Sequence, residues 1–176
     1  MSEPATPKTI SDNADGVYQE GDFENAARLY GEAASAFQAQ GDPVAAAEMK
    51  NNQSVAFLQA GDAQSAYQVV AGTAEAFAAA ADARRQGIAL ANEATALEAL
   101  KRIDQALEKY LQSADVFKQA GEDQLRASVL QAVAWITLRR GKILEALNYV
   151  RASVAELKTP TLKQKIMRGL LRLRLW

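Results

Sequence analysis

An all-α fold made of tandem helical hairpins is predicted by two features of this 176-residue sequence: a lattice of glycines twenty residues apart, and side-chain columns that recur every forty. Gly21, Gly41, Gly61, Gly121 and Gly141 are five of the ten glycines, and all five fall on the lattice. A fixed period of this kind marks a repeat architecture and is best sought before any other pattern. Between lattice points the apolar residues step by three and four. Phe23, Ala26, Ala27, Tyr30, Ala33, Ala34 and Phe37 fall on one helical face, and nothing alternates with the period of a strand.

The lattice points are helix boundaries. Glycine takes the left-handed conformation that closes a helix, and the next residue (Asp22, Asp42, Asp62, Asp82, then Glu122) can accept the free N–H groups of the helix that follows. Ala81 and Lys101 hold the two lattice positions that lack glycine, and Pro43 suits a first helical turn. Helices are therefore expected at about 9–20, 23–40, 43–60, 63–80, 83–100, 103–120, 123–140, 143–158 and 161–173. They group into a flexible N-terminus, 1–8, and four hairpins at 9–40, 41–80, 81–120 and 121–158. A basic amphipathic capping helix and tail follows at 159–176.

Alternate helices are not equivalent, which makes the hairpin the repeating unit. The second helices carry the columns Ala26, Ala66, Ala106, Ala146; Tyr30, Val70, Tyr110, Val150; Ala33, Thr73, Ser113, Ser153; and Phe37, Phe77, Phe117, Leu157. The first helices carry Ala14, Ser54, Ala94, Ala134. Small residues let paired helices approach closely, and bulky ones fill the space between successive hairpins. One hairpin cannot bury such a face alone, so the array must fold as a stack.

Composition excludes several kinds of chemistry. With no Cys and no His, the chain has no disulfides, thiolate nucleophiles, imidazole bases or Cys/His zinc sites. No cofactor is expected. Net charge is −1, which exerts no global pull toward nucleic acid. The charge is unevenly spread: residues 1–88 hold 12 acids and 5 bases, and residues 89–176 hold 9 acids and 15 bases. No apolar run is long enough for a membrane span, and the N-terminus does not read as a secretory signal, so a cytoplasmic location is expected. Glu93 and Glu98 stand five helical positions apart and so do not share a face as a catalytic pair would. The glycines sit singly at helix ends and form no phosphate-binding loop, and an enzyme is not expected.

The run Gly21-Asp22-Phe23-Glu24-Asn25-Ala26-Ala27-Arg28-Leu29-Tyr30-Gly31-Glu32-Ala33 resembles the second-helix signature of tetratricopeptide repeats, as does Ile103-Asp104-Gln105-Ala106-Leu107-Glu108-Lys109-Tyr110. The resemblance covers nearly the whole chain, and it weakens in the second and fourth repeats, where valine replaces the aromatic. It implies a right-handed superhelix. The period of forty exceeds the family's usual 34 or so and is similar to the long repeats of kinesin light chains and Pins-type polarity adaptors. In those, Asn sits before a small residue, as Asn52 precedes Ser54 and Asn92 precedes Ala94 here. HEAT and armadillo repeats share the period without the small and bulky columns, and an array like that of SNAP adaptors would leave the functional class unchanged.

In the resembled family the first helices line a concave groove. The resemblance implies a partner-binding groove formed by Asp15, Asn52, Val55, Gln59, Asn92, Thr95, Trp135 and Arg139, with Asp12 and Gln19 beside them. Asn amides offer a donor and an acceptor to a peptide backbone, so Asn52 and Asn92 would make two rungs. Two readings of Trp135 stand open: a plate beside Arg139 for a partner side chain, or a core residue between the fourth hairpin and the cap. The carboxylate clamp of some family members is absent, since Ser11, Asp15 and Ile88 hold its places. The expected function is a scaffold or adaptor that binds a peptide or partner protein. The alternative is a structural unit that self-associates head to tail through its acidic and basic halves.

Overall fold

The structure, a computed structural model, describes residues 6–155, 157 and 164. Nine helices run through the described residues: α1 (Pro7–Gln19), α2 (Phe23–Ala39), α3 (Pro43–Gln59), α4 (Ala63–Val70), α5 (Thr73–Ala79), α6 (Ala83–Ala99), α7 (Ile103–Ala120), α8 (Asp123–Arg139) and α9 (Ile143–Ala155). The described residues contain no strand. The helix expected at 161–173 lies outside the described residues apart from Gln164, and the first helix starts at Pro7 rather than 9 because Thr6 caps it. The helices form a tetratricopeptide-like array of four hairpins: α1 with α2, α3 with α4 and α5, α6 with α7, and α8 with α9.

Every turn between helices is built alike. The residue after the lattice position donates its N–H to the carbonyl five residues back, from Asp22 to Val17 through Lys142 to Thr137, at 2.9–3.2 Å. This is the hydrogen bond of a Schellman turn, which requires a left-handed residue at the lattice point. The glycines there have φ between 71° and 86°, and Ala81 and Lys101 take the same conformation at 56° and 63°. Asp22, Asp42, Asp62 and Asp82 then accept the N–H three residues on, closing the next helix at its start.

One element departs from the periodic expectation. The helix expected over 63–80 is broken into α4 and α5 by Ala71, with ψ 126°, and Gly72, with φ 83°. Glycine inside a helix costs about 1 kcal/mol relative to alanine, and here that weakness is stabilised by side chains. Thr73 Oγ1 donates to the Val70 carbonyl at 2.8 Å and accepts from Asn51 Nδ2 at 3.0 Å. The second hairpin therefore bends where the other three run straight.

The columns are the core. Ala26, Ala66 and Ala106 are fully buried, Ala146 nearly so, and Ala14, Ser54 and Ala94 are likewise sealed from solvent. Each second helix packs on the first helix of its own hairpin, and those of the first three hairpins pack also on the first helix of the next. The bulky column closes over small residues of the first helices. Phe77 clusters with Ala47 and with Ala89 and Leu90 of the next hairpin, and Leu157 clusters with Ala127. At Gly87 the fit excludes any side chain: a Cβ there would stand 2.5 Å from Phe117 Cε1. Burying a ring of this size contributes about 1.5–3 kcal/mol, and Phe117 is buried both against Gly87 of its own hairpin and in a cluster with Val129 and Leu130 of the next.

Candidate functional site

The residues that the resemblance implicates lie along the first helices α1, α3, α6 and α8 as a row of exposed or half-buried side chains. They are not equally free to meet a partner. Asp15 is exposed, and its Oδ1 accepts the Tyr30 hydroxyl at 2.6 Å. Thr95 is exposed as well. Its hydroxyl donates to the Ala91 carbonyl at 2.9 Å and lies 3.0 Å from that of Tyr110, which also reaches Glu98 Oε2 at 3.3 Å. The row is therefore partly committed to bracing the second helices.

This bracing follows the columns. Asp15 and Thr95 stand where their hairpins carry Tyr30 and Tyr110, whereas Val55 and Trp135 stand where theirs carry Val70 and Val150. A buried phenol needs a polar neighbour and a buried valine does not. That complementarity is visible in the sequence once the two columns are set side by side. Burial pushes the Tyr110 hydroxyl up to about 12, and Glu98 adds to the shift. Burial likewise carries Tyr30 well above its ordinary range, with Asp15 contributing.

The two asparagine rungs do not form a matched pair. Asn52 and Asn92 are both half-buried, but Asn92 Nδ2 donates to Asn51 Oδ1 at 3.1 Å, and Asn52 takes no part in that link. Asn51 is 5% exposed and donates to both the Ala47 carbonyl and Thr73 Oγ1 at 3.0 Å. The residue that sequence reasoning missed is thus Asn51, which joins the outward row to the break between α4 and α5. Its signal was Thr73, the one threonine in a column otherwise occupied by alanine and serine.

Gln59 and Gln19 are exposed and Val55 is half-buried, while Asp12 is exposed and ion-paired with Lys8. At the α8 end the core reading of Trp135 fails, because the indole is 60% exposed. No described helix covers it: α9 packs on the other side of α8 through Ala146 and Val154. Arg139 Nη1 lies 3.6 Å from Glu98 Oε1, and Arg140 Nη1 lies 2.6 Å from Asp104 Oδ1. Together with Ile103 and Ile136, Arg139, Arg140 and Glu98 line a cleft of about 150 Å³ between the third and fourth hairpins. The outward row runs from carboxylates at α1 to an indole and two guanidinium groups at α8.

The two glutamates considered for catalysis have separate tasks. Glu93 is buried and pairs with Lys109 Nζ at 2.9 Å, whereas Glu98 meets Arg139 and Tyr110. Position 93 is Asn, Gln or Val in the other repeats and position 109 is Leu, Val or Tyr, so the ion pair belongs to the third hairpin alone. Among the described residues no cluster of acidic side chains is arranged to hold a metal ion, and no helix is long and apolar enough to cross a membrane.

No family model matches the chain, and no curated protein matches it in sequence. Solved structures do match it in fold. One is the crystal structure of BtubC (BKLC) from P. vanneervenii, with a TM-score of 0.74 and 19% sequence identity, covering 93% of this chain and 70% of that one. The likeness establishes the helical-repeat fold at the level of the backbone.

Proposed function

We propose that the chain is a protein-interaction module whose row of first helices receives a peptide or a partner protein, with Trp135 and Arg139 as the anchoring end. The observation that carries this reading is the exposed Trp135 on α8, one helical turn before Arg139, whose side chain lines the cleft between the third and fourth hairpins. A large indole left in solvent one turn from a cation has the composition of a binding hot spot, and such anchors are each worth at least about 2 kcal/mol when engaged. Asn52, Gln59 and Asn92 add amides along the row at helical spacing, as an extended or helical peptide would use. Asn92 has a fixed orientation, because its amide nitrogen is held by Asn51.

Peptides selected from a random library on the intact chain test the reading. Trp135→Ala with Arg139→Ala should weaken the selected peptides by at least about thirtyfold, the size of one lost hot spot, while the exposed control Gln131→Ala leaves them unchanged. Peptides that bind the double variant as tightly as the parent would place the binding surface elsewhere. The split between an acidic first half and a basic second half favours a second reading, head-to-tail self-association. Oligomers that dissolve on adding salt would support it.

A further inference from the structure

Five large apolar side chains stand exposed among the described residues, and all belong to the last hairpin: Trp135, Leu138, Ile143, Leu144 and Leu147. Two of them have a counterpart that is covered. Ile143 and Leu147 are 59% and 44% exposed, whereas Ile103 and Leu107, forty positions earlier, are half-buried against a cluster that includes Val129, Leu130, Val133 and Ile136 of α8. Among the described residues, the outer face of α9 is thus that of a second helix without the first helix that should follow it.

The chain beyond α9 has two described residues, and both keep the repeat. Leu157 is 5% exposed and packs with Ala127 and Val154, as Phe77 packs with Ala47 one column earlier. Gln164 Nε2 lies 3.4 Å from the Oε1 of Gln124, its own counterpart forty residues before. These two points fix a phase. Carried forward, it sets Gly169, Leu170, Leu173 and Trp176 at the positions by which α8 covers α7. It also sets Arg168 and Arg172 at the positions of Ser128, which is exposed, and Ala132, which is half-buried.

A second copy stacked head to tail would offer α1 to the same place, and α1 is chemically wrong for it. At the equivalent positions α1 carries Thr9, Ile10, Asn13 and Gly16, of which only Ile10 is large and apolar. We propose that residues 161–176 are the occupant of the outer face of α9, docked in the register of a fifth first helix with Leu170, Leu173 and Trp176 over Leu147 and Ile143. Burial of apolar surface selects this segment over a head-to-tail second copy, because α1 would bring polar groups that lose their water without gaining partners. Docking closes the array against head-to-tail growth. It leaves Leu144 exposed, since the same position is Glu24, Gln64 and Asp104 in the other hairpins and faces water there.

The chain has no cysteine, so one introduced thiol reports one position. Leu147→Cys in the full chain should react with a maleimide at least about tenfold more slowly than the same thiol in a chain that also carries Leu170→Asp and Leu173→Asp, because labelling of a covered site waits on local opening. Leu144→Cys should react alike in both backgrounds, and protection of Leu147→Cys should not depend on protein concentration. Equal reactivity of Leu147→Cys with and without the aspartates would overturn the proposal. Protection that grows with concentration would overturn it too, by giving the seat to a second copy, and protection shared equally by Leu144→Cys would count against this register. In a Trp135→Phe background Trp176 is the sole tryptophan, and its acrylamide quenching should rise on introducing the two aspartates. A quenching rate that does not change would contradict docking even if a cysteine variant failed to fold.

Discussion

Lys101 holds a backbone conformation that its side chain resists. With φ at 63° it occupies a lattice point where five of the seven turns have glycine, and a non-glycine residue in the left-handed region costs about 1–2 kcal/mol. Lys101→Gly should therefore stabilise the chain by about 0.5–1 kcal/mol after the extra freedom of glycine in the unfolded chain is offset. A rise in the urea midpoint at constant slope is the expected result, and a fall would show that Lys101 makes a compensating contact. Tyr110 gives a second prediction, read through pH. Its folded-state pKa of about 12 is above the unfolded value of about 10, so the stability tied to its proton is complete below about pH 10 and is lost as pH climbs through about 12. Tyr110→Phe should shrink the loss of stability across that alkaline window, as measured by urea unfolding at several pH values. A window of undiminished depth would mean that the phenol is not the titrating group.

At the scale of elements, the break between α4 and α5 is held by side chains rather than by the helical ladder. Asn51 supplies hydrogen bonds to Thr73 and to Asn92 from a site 5% exposed. Removing it breaks its three hydrogen bonds, to the Ala47 carbonyl, Thr73 and Asn92, each worth about 0.5–1.5 kcal/mol net. Asn51→Ala should lower stability by about 2–3 kcal/mol, whereas Asn52→Ala one position away should change it by less than about 0.5 kcal/mol. Comparable effects in equilibrium unfolding would show that the link is not what secures the bend. This element also marks where sequence reasoning stops. The turns were legible because each needs one left-handed residue and one cap, both set locally. The break at Ala71 and Gly72 was not, because Gly16, Gly31 and Gly87 sit inside unbroken helices, and the bond that holds Thr73 beside the break comes from Asn51, twenty-two residues away. The site was legible in part for the same reason. The resemblance set Asp15, Thr95 and Arg139 on first helices, where they stand exposed. Their partners Tyr30, Tyr110 and Glu98 lie on other helices, which periodicity on a single helix does not reveal. Of the two readings of Trp135 the core one fails, because no described helix covers its side chain, which is a property of the stack and not of α8 alone.

Across the whole molecule, stability comes from faces that no hairpin can bury by itself. Phe77 belongs to the second hairpin yet packs with Ala89 and Leu90 of the third, and Tyr110, Phe117, Val129 and Leu130 share one cluster across the third and fourth. Such an array couples each hairpin mainly to its neighbours. The most direct measurement is amide hydrogen exchange on Phe77→Ala, a large-to-small core change expected to cost about 3–5 kcal/mol. If the hairpins stabilise one another, protection should fall in α6 of the third hairpin by an amount similar to the fall in α3 and α5. A loss confined to the second hairpin, with α6 exchanging as slowly as in the parent, would contradict the account.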